Sequence, residues 1–238
     1  QVLYSAFDGA NGTELWSSDG TTAGTALLKD IHTTAGFSSF PSNFTLIGST
    51  VFFSAADATN GTELWKTDGT TAGTVLVSNI FAGSTSSSPT VLRNVAGTLF
   101  FAATDTTANG QELWNSDGTA GGTVMVKNIN PTANASSSIS SPVAVGSLLY
   151  FSANDGTNGA ELWMSDGTSA GTVMVKNINP AAGTGSSVTS ITAVGSTVYF
   201  VANDGTTGSE LWKSDGTDAG TVLVKDIQTG ITSSSVFN

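Results

Sequence analysis

The chain has 238 residues, 39% of them apolar, which is enough for a substantial core; 18 acidic against seven basic residues leave a net charge of −11. That field repels a phosphate backbone and no cluster of Lys or Arg interrupts it, so neither nucleic acid nor an anionic membrane is an expected partner. Cysteine is absent, which rules out disulfides and thiolate metal sites, and no run approaches the roughly 18 apolar residues of a membrane span.

From the first residue the chain is strand-like: Gln1-Val2-Leu3-Tyr4-Ser5 matches Thr50-Val51-Phe52-Phe53-Ser54 one repeat later. The period is set by the five tryptophans, Trp16, Trp65, Trp114, Trp163 and Trp212, each 49 residues from the last. Around them stand GTELWSSDGTTAGTALLKDI, GTELWKTDGTTAGTVLVSNI, GQELWNSDGTAGGTVMVKNI, GAELWMSDGTSAGTVMVKNI and GSELWKSDGTDAGTVLVKDI. The repeat units are about 1–49, 50–97, 98–147, 148–196 and 197–238.

Within the second unit four apolar runs rich in Val, Phe, Tyr and Thr are predicted strands, at 44–47, 51–56, 63–67 and 74–80. Gly48-Ser49 links the first two, residues 57–61 form the second turn with Asn and Gly supplying positive φ, and Asp68-Gly69-Thr70-Thr71-Ala72-Gly73 forms the third. Four antiparallel strands repeated every 40 to 50 residues match a propeller blade. Runs such as Val51-Phe52-Phe53, apolar on both alternating faces, suit a sheet sandwiched between two neighbours. The expected fold is all-β, a single five-bladed β-propeller over 1–238. Its first copy lacks an innermost strand, which ring closure would draw from the C-terminus. Val236-Phe237-Asn238 is either a shortened closing strand or the cut end of a longer protein, and a fragment is the expectation.

The block Glu-Leu-Trp-x-x-Asp-Gly-Thr-x-x-Gly-Thr resembles the bacterial ELWxxDGT repeat family of large secreted and surface proteins. The resemblance covers all five units, through Glu14, Leu15, Trp16, Asp19, Gly20, Thr21 and Gly24 and their equivalents. It implies propeller blades and a secreted or cell-surface location, but no shared chemistry. The Ser-Asp-Gly-Thr turn also resembles the Asp-box of sialidase propellers, although here Trp precedes the Asp.

Asp19, Asp68, Asp117, Asp166 and Asp215 could offer oxygen to a calcium ion, but one carboxylate per turn is an ordinary Asx turn, and a structural role is expected. Glu14, Glu63, Glu112, Glu161 and Glu210 lie two residues before each Trp, on its face of the strand. Five like environments do not make the unlike pair that glycoside hydrolysis needs. A cross-strand ion pair is expected instead, joining Glu14 to Lys29, Glu112 to Lys127, Glu161 to Lys176 and Glu210 to Lys225, with Ser78 breaking the pattern opposite Glu63. Each Trp is expected between neighbouring blades. His32 reads as a loop residue, and no cofactor, phosphate-cradle or nucleophile motif occurs.

The candidate ligand-binding loops, on one face of the propeller, carry Asp8, Asn11, Asp57, Asn60, Asp105, Asn109, Asp155, Asn158 and Asp204, with longer Ser/Gly segments at 81–88 and 130–138. The bland reading, that Asp, Asn and Gly simply make good turns, is preferred. Three functions compete. The first is a non-catalytic binding or structural module contacting a protein or a repeating surface. The second is a multivalent lectin with blade-repeated sites. A sialidase-like hydrolase is disfavoured because Arg93 is the only arginine.

Overall fold

The computed structural model describes residues 1–106, 108–231 and 233–234. The regular secondary structure of the described residues is wholly β, and among them no helix is long and apolar enough to cross a membrane. Sheet 1 comprises β1 (Val2–Phe7), β2 (Thr13–Ser18) and β3 (Ala26–Lys29). Sheet 2 comprises β4 (Ser42–Ile47), β5 (Thr50–Asp57), β6 (Gly61–Thr67) and β7 (Val75–Ser78). Sheet 3 has β8 (Thr90–Val95), β9 (Thr98–Thr104), β10 (Gln111–Ser116) and β11 (Val124–Lys127). Sheet 4 has β12 (Ser140–Val145), β13 (Leu148–Asn154), β14 (Ala160–Ser165) and β15 (Val173–Lys176). Sheet 5 has β16 (Thr189–Val194), β17 (Thr197–Asn203), β18 (Ser209–Ser214) and β19 (Val222–Lys225). Sequential strands are neighbours in every sheet. The proposed closing residues Val236, Phe237 and Asn238 lie outside the described residues.

The chain divides into two compact units, 1–107 with 115–124 and 108–114 with 125–238. In the first, Leu15, Leu28 and Ile31 of sheet 1 and the segment after it pack with Phe53, Ala55 and Trp65 of sheet 2. In the second, Leu162, Val175 and Ile178 pack in the same way with Val198, Phe200, Ala202 and Trp212 of sheet 5. The long second strands β5, β9 and β13 are buried on both alternating faces, as their apolar runs suggested, whereas β17 is buried on alternate residues and β1 is largely exposed. Trp65, Trp114, Trp163 and Trp212 are buried. Trp16 differs from expectation and is only half-buried.

Two departures from regular geometry recur. The first strand carries a bulge whose second residue is left-handed, at Asn43 (φ 59), Val91 (φ 50), Ser141 (φ 50) and Ser190 (φ 54). A second bulge lies between the Leu and Trp of the motif, so that Lys29 stands opposite Leu15, Ser78 opposite Leu64 and Lys176 opposite Leu162. The fourth strand of the second unit is shorter than expected, ending at Ser78, because the Ile80 amide leaves the ladder for the Glu63 carboxylate. An outermost strand of four residues also leaves little edge for unwanted pairing.

Candidate functional site

The five motif glutamates are completely buried, yet none is paired with the lysine expected. Glu14 Oε2 accepts the Ile31 amide at 2.7 Å and the Ser39 hydroxyl at 2.6 Å, while Oε1 accepts the Ser39 amide at 2.9 Å. Glu63 repeats this with Ile80 (2.9 Å), the Ser87 hydroxyl (2.6 Å) and the Ser87 amide (2.9 Å). Glu112 accepts the Ile129 amide at 2.7 Å, Glu161 accepts Ile178 at 3.1 Å and the Ser186 hydroxyl at 2.6 Å, and Glu210 accepts Ile227 at 3.2 Å. Each carboxylate thus ties its strand to the segment that leaves the sheet, satisfying amides that would otherwise be buried without partners. Burial pushes Glu63 and Glu161 up from their ordinary value and Glu112 up to about 7, against the opposing pull of these donors.

The bulge explains the missing ion pairs. By placing Lys29, Lys176 and Lys225 opposite Leu rather than Glu, it turns the ammonium to the other side of the sheet. Lys29 Nζ then donates to the Thr71 and Thr74 carbonyls at 3.3 and 2.9 Å, and Lys127 Nζ to the Thr172 carbonyl at 2.7 Å. Lys176 Nζ donates to the Asp218 carbonyl at 3.1 Å, with the Asp218 carboxylate 3.6 Å away. The lysines are staples to the next sheet's Asp-Gly-Thr turn. Where Ser78 cannot reach, Lys66 Nζ donates to the Gly118 carbonyl at 2.9 Å instead. Ser78 therefore does not single out Glu63, whose hydroxyl and amide partners match those of Glu14.

The Asp-Gly-Thr turn is closed on itself. Asp68 Oδ1 accepts the Thr70 amide at 2.9 Å and hydroxyl at 2.7 Å, and Thr70 Oγ1 accepts the Gly73 amide at 2.9 Å. Asp19, Asp117, Asp166 and Asp215 do the same with Thr21, Thr119, Thr168 and Thr217. The Thr hydroxyl and then the Thr amide hold all five carboxyls below their ordinary value. A Cβ added at Gly73 would fall on the Asp68 carboxylate, which is why the motif carries glycine there. Gly73→Ala is expected to cost roughly 1–3 kcal/mol, as forcing a methyl into filled space does. The double variant Asp68→Ala with Gly73→Ala should then lose less than the two single losses combined, a coupling measurable by calorimetry.

The candidate ligand loops are likewise occupied by their own backbone. Asp8 accepts the Ala10 and Asn11 amides at 2.9 and 2.7 Å and the Asn11 carboxamide at 2.6 Å. Asp57 does so with Thr59 and Asn60, Asp155 with Thr157 and Asn158, and Asp204 with Thr206 and Thr207. Asn60, Asn109 and Asn158 in turn accept hydrogen bonds through Oδ1 from the carboxamides of Asn79, Asn128 and Asn177 at 2.8, 3.3 and 3.0 Å. The turn reading of these loops is the one the geometry supports. Asp105 lies in a loop whose Thr107 is outside the described residues. Each loop stands beside the segment leaving its own sheet, Gly61 against the Ser84 carbonyl and Gly159 against Gly185. His32 is a loop residue, its ring stacked on Phe37 at 5.3 Å.

Among the described residues sheet 1 has three strands where the other sheets have four, lacking the innermost strand that its sequence also lacks. Its first strand is β1, the counterpart of β5, and among the described residues nothing pairs with the other edge of β1. A groove of about 340 Å³ opens there, lined by Gln1, Leu3, Phe44, Leu46, Val51 and Gly69. Val2 is 64% exposed and Leu46 60%, whereas Phe52, the counterpart of Leu3, is 4% exposed.

No protein-family profile matches the chain, and no curated protein matches it. Solved structures do. A computationally designed protein, Ika8, aligns over 97% of this chain and 60% of its own at 16% identity and a TM-score of 0.50. Puromycin hydrolase aligns over 92% of this chain at 16% identity and a TM-score of 0.57, and a prolyl endopeptidase over 93% at 13% identity and 0.54. The chain spans 33% of the hydrolase and 32% of the endopeptidase. At such identities the likeness is one of fold alone, and it is β-propeller-like.

Proposed function

We propose that the chain is a non-catalytic binding or structural module, a five-bladed β-propeller of the ELWxxDGT type belonging to a secreted or cell-surface bacterial protein and contacting protein or another surface. Five antiparallel sheets of one repeated design and the propeller-like neighbours support the blade count. The observation that carries the functional reading is the fate of the repeated carboxylates. The motif Glu is consumed by backbone amides and the motif Asp by its own turn, so neither repeated group is free to move a proton or hold a substrate. A multivalent lectin loses its usual platform, because the repeated indoles are packed rather than presented, and the loop Asn side chains are engaged with each other. The labelled chain applied to a glycan array is expected to give no saturable signal. Saturable binding that disappears in an Asn60→Ala, Asn158→Ala variant of parental stability would replace this reading with the lectin.

A further inference from the structure

We propose that Asn11 is a site of covalent self-modification, where attack by the Gly12 amide expels the carboxamide nitrogen and leaves aspartate or isoaspartate in the loop between β1 and β2. Four copies carry Asn-Gly in this loop, at Asn11, Asn60, Asn109 and Asn158, and the fifth carries Thr207. An Asn before glycine is the most open to this reaction, because no Cβ hinders the following amide. The surroundings of three of these loops are alike. Asn11, Asn60 and Asn158 are each partly buried, and Gly12, Gly61 and Gly159 each pack against the segment leaving their own sheet. What differs is how the carboxamide is held.

Asn60 is held at both ends. Its Nδ2 donates to Asp57 Oδ2 at 2.7 Å and to Thr59 Oγ1 at 3.0 Å, and its Oδ1 accepts from Asn79 Nδ2 at 2.8 Å. Asn158 is held in the same way, by Asp155 Oδ2 at 2.6 Å and by Asn177 Nδ2 at 3.0 Å. Asn11 keeps only the first hold, Nδ2 donating to Asp8 Oδ2 at 2.6 Å. Where Asn79 and Asn177 stand in their copies, the first copy has Asp30, whose ionised carboxylate has no proton to give. Asp30 Oδ1 is buried without a hydrogen-bond partner, and among the described residues no donor meets Asn11 Oδ1. Asp226 takes the same place in the fifth copy, but there the loop residue is Thr207, which has no carboxamide to lose. The mismatch of Asn with Asp is therefore confined to the first copy.

In the reaction the Gly12 nitrogen bonds to Asn11 Cγ, the Cγ–Nδ2 bond breaks, and Nδ2 leaves as ammonia with the proton of the Gly12 amide. Water then opens the five-membered imide at one carbonyl or the other, giving isoaspartate or aspartate. Because Cγ must first swing onto the Gly12 nitrogen, every hydrogen bond that holds the carboxamide adds to the barrier. The hold that Asn11 lacks corresponds to about fivefold in rate, the equivalent of one ordinary hydrogen bond of about 1 kcal/mol. The product loses its donor to Asp8 Oδ2 and sets a second carboxylate beside Asp8 in a chain already at −11, which loosens this loop. None of this depends on the module reading.

The test is to incubate the full folded chain at mildly alkaline pH and follow each Asn-Gly peptide by mass spectrometry, with fragmentation distinguishing isoaspartate from aspartate. Asn11 is expected to convert at least about fivefold faster than Asn60 and Asn158 in the same sample. In the urea-unfolded chain, where no hold survives, the three should convert alike. Asp30→Asn, which restores the donor, should slow Asn11 toward the rate of Asn60. Asn79→Asp, which removes one, should speed Asn60 toward the rate of Asn11, and it reads the same hold in a second copy should the first variant fold poorly. Equal rates at the three sites of the folded chain, or the same excess at Asn11 in urea, would overturn the proposal. So would an Asn11 rate unmoved by Asp30→Asn or an Asn60 rate unmoved by Asn79→Asp in a folded variant.

Discussion

Trp65→Ala is expected to lower the stability of the chain by about 3–5 kcal/mol, the range for removing a large buried aromatic. The indole is 7% exposed and belongs to a cluster in which Leu15, Leu28 and Ile31 come from one repeat and Phe53 and Ala55 from the next. Its removal therefore opens a cavity between two layers of the structure. In a repeat protein, stability is approximately a sum of unit and neighbour terms, so the loss falls on the coupling between sheets 1 and 2 as well as on sheet 2. Urea melts should show it as a lower midpoint. Trp114→Ala, at an equally buried position, should behave alike, whereas Trp16→Ala, at the half-buried position, should lose less. A Trp65→Ala chain that melts with the parent would mean that the repeated Trp is kept for contact with a ligand, and the module reading would have to give way to the lectin.

The strands and the burial of the tryptophans were legible because both rest on periodicity. A 49-residue frame with Val, Phe and Thr between Gly and Asn turns dictates strands, and an indole in the middle of such a strand has little choice but to pack. The turns were legible for a local reason, since Asp followed by Gly and Thr closes on its own backbone whatever lies around it. The Glu–Lys pairing was misread because counting across a hairpin assumes an unbroken ladder. One extra residue in β3, Leu28 between Leu27 and Lys29, moves Lys29 opposite Leu15 and to the other face. Nothing in Ala-Leu-Leu-Lys announces that bulge. The partner chosen by Glu14 was hidden for a different reason: Ser39 is 25 residues away, in a segment whose Ser-rich sequence reads as a linker.

These glutamates give the chain an unusual pH profile. Glu112 has an ordinary value of 4.5 and is pushed up to about 7 by burial, which outweighs the amides of Ile129 and Asn130 and the Ser137 group. Below pH 4.5 the carboxyl is protonated in folded and unfolded chain alike, and its full stabilising contribution is present. As pH rises toward 7 the unfolded chain gives up this proton while the folded chain retains it, and the contribution is lost. At about 1.4 kcal/mol per pH unit, Glu112 alone withdraws on the order of 3 kcal/mol by neutral pH. Glu63 and Glu161, raised by the same burial, act in the same direction. The turn carboxyls oppose them at the acid end. Asp19 and Asp68, held low by Thr21 and Thr70, contribute stability above their ordinary value of 3.8 and lose it as pH falls through their lower folded values. The two sets leave a stability maximum near pH 4–5, below the range usual for proteins. Chemical denaturation of the parent from pH 4.5 to 7.5 should show stability falling through this window. Glu112→Gln keeps the volume and removes the titration, so its curve should be flatter by about 3 kcal/mol over the same range, whatever its absolute stability. Parallel curves for Glu112→Gln and the parent would show that the amide and hydroxyl donors hold Glu112 ionised in the folded chain throughout.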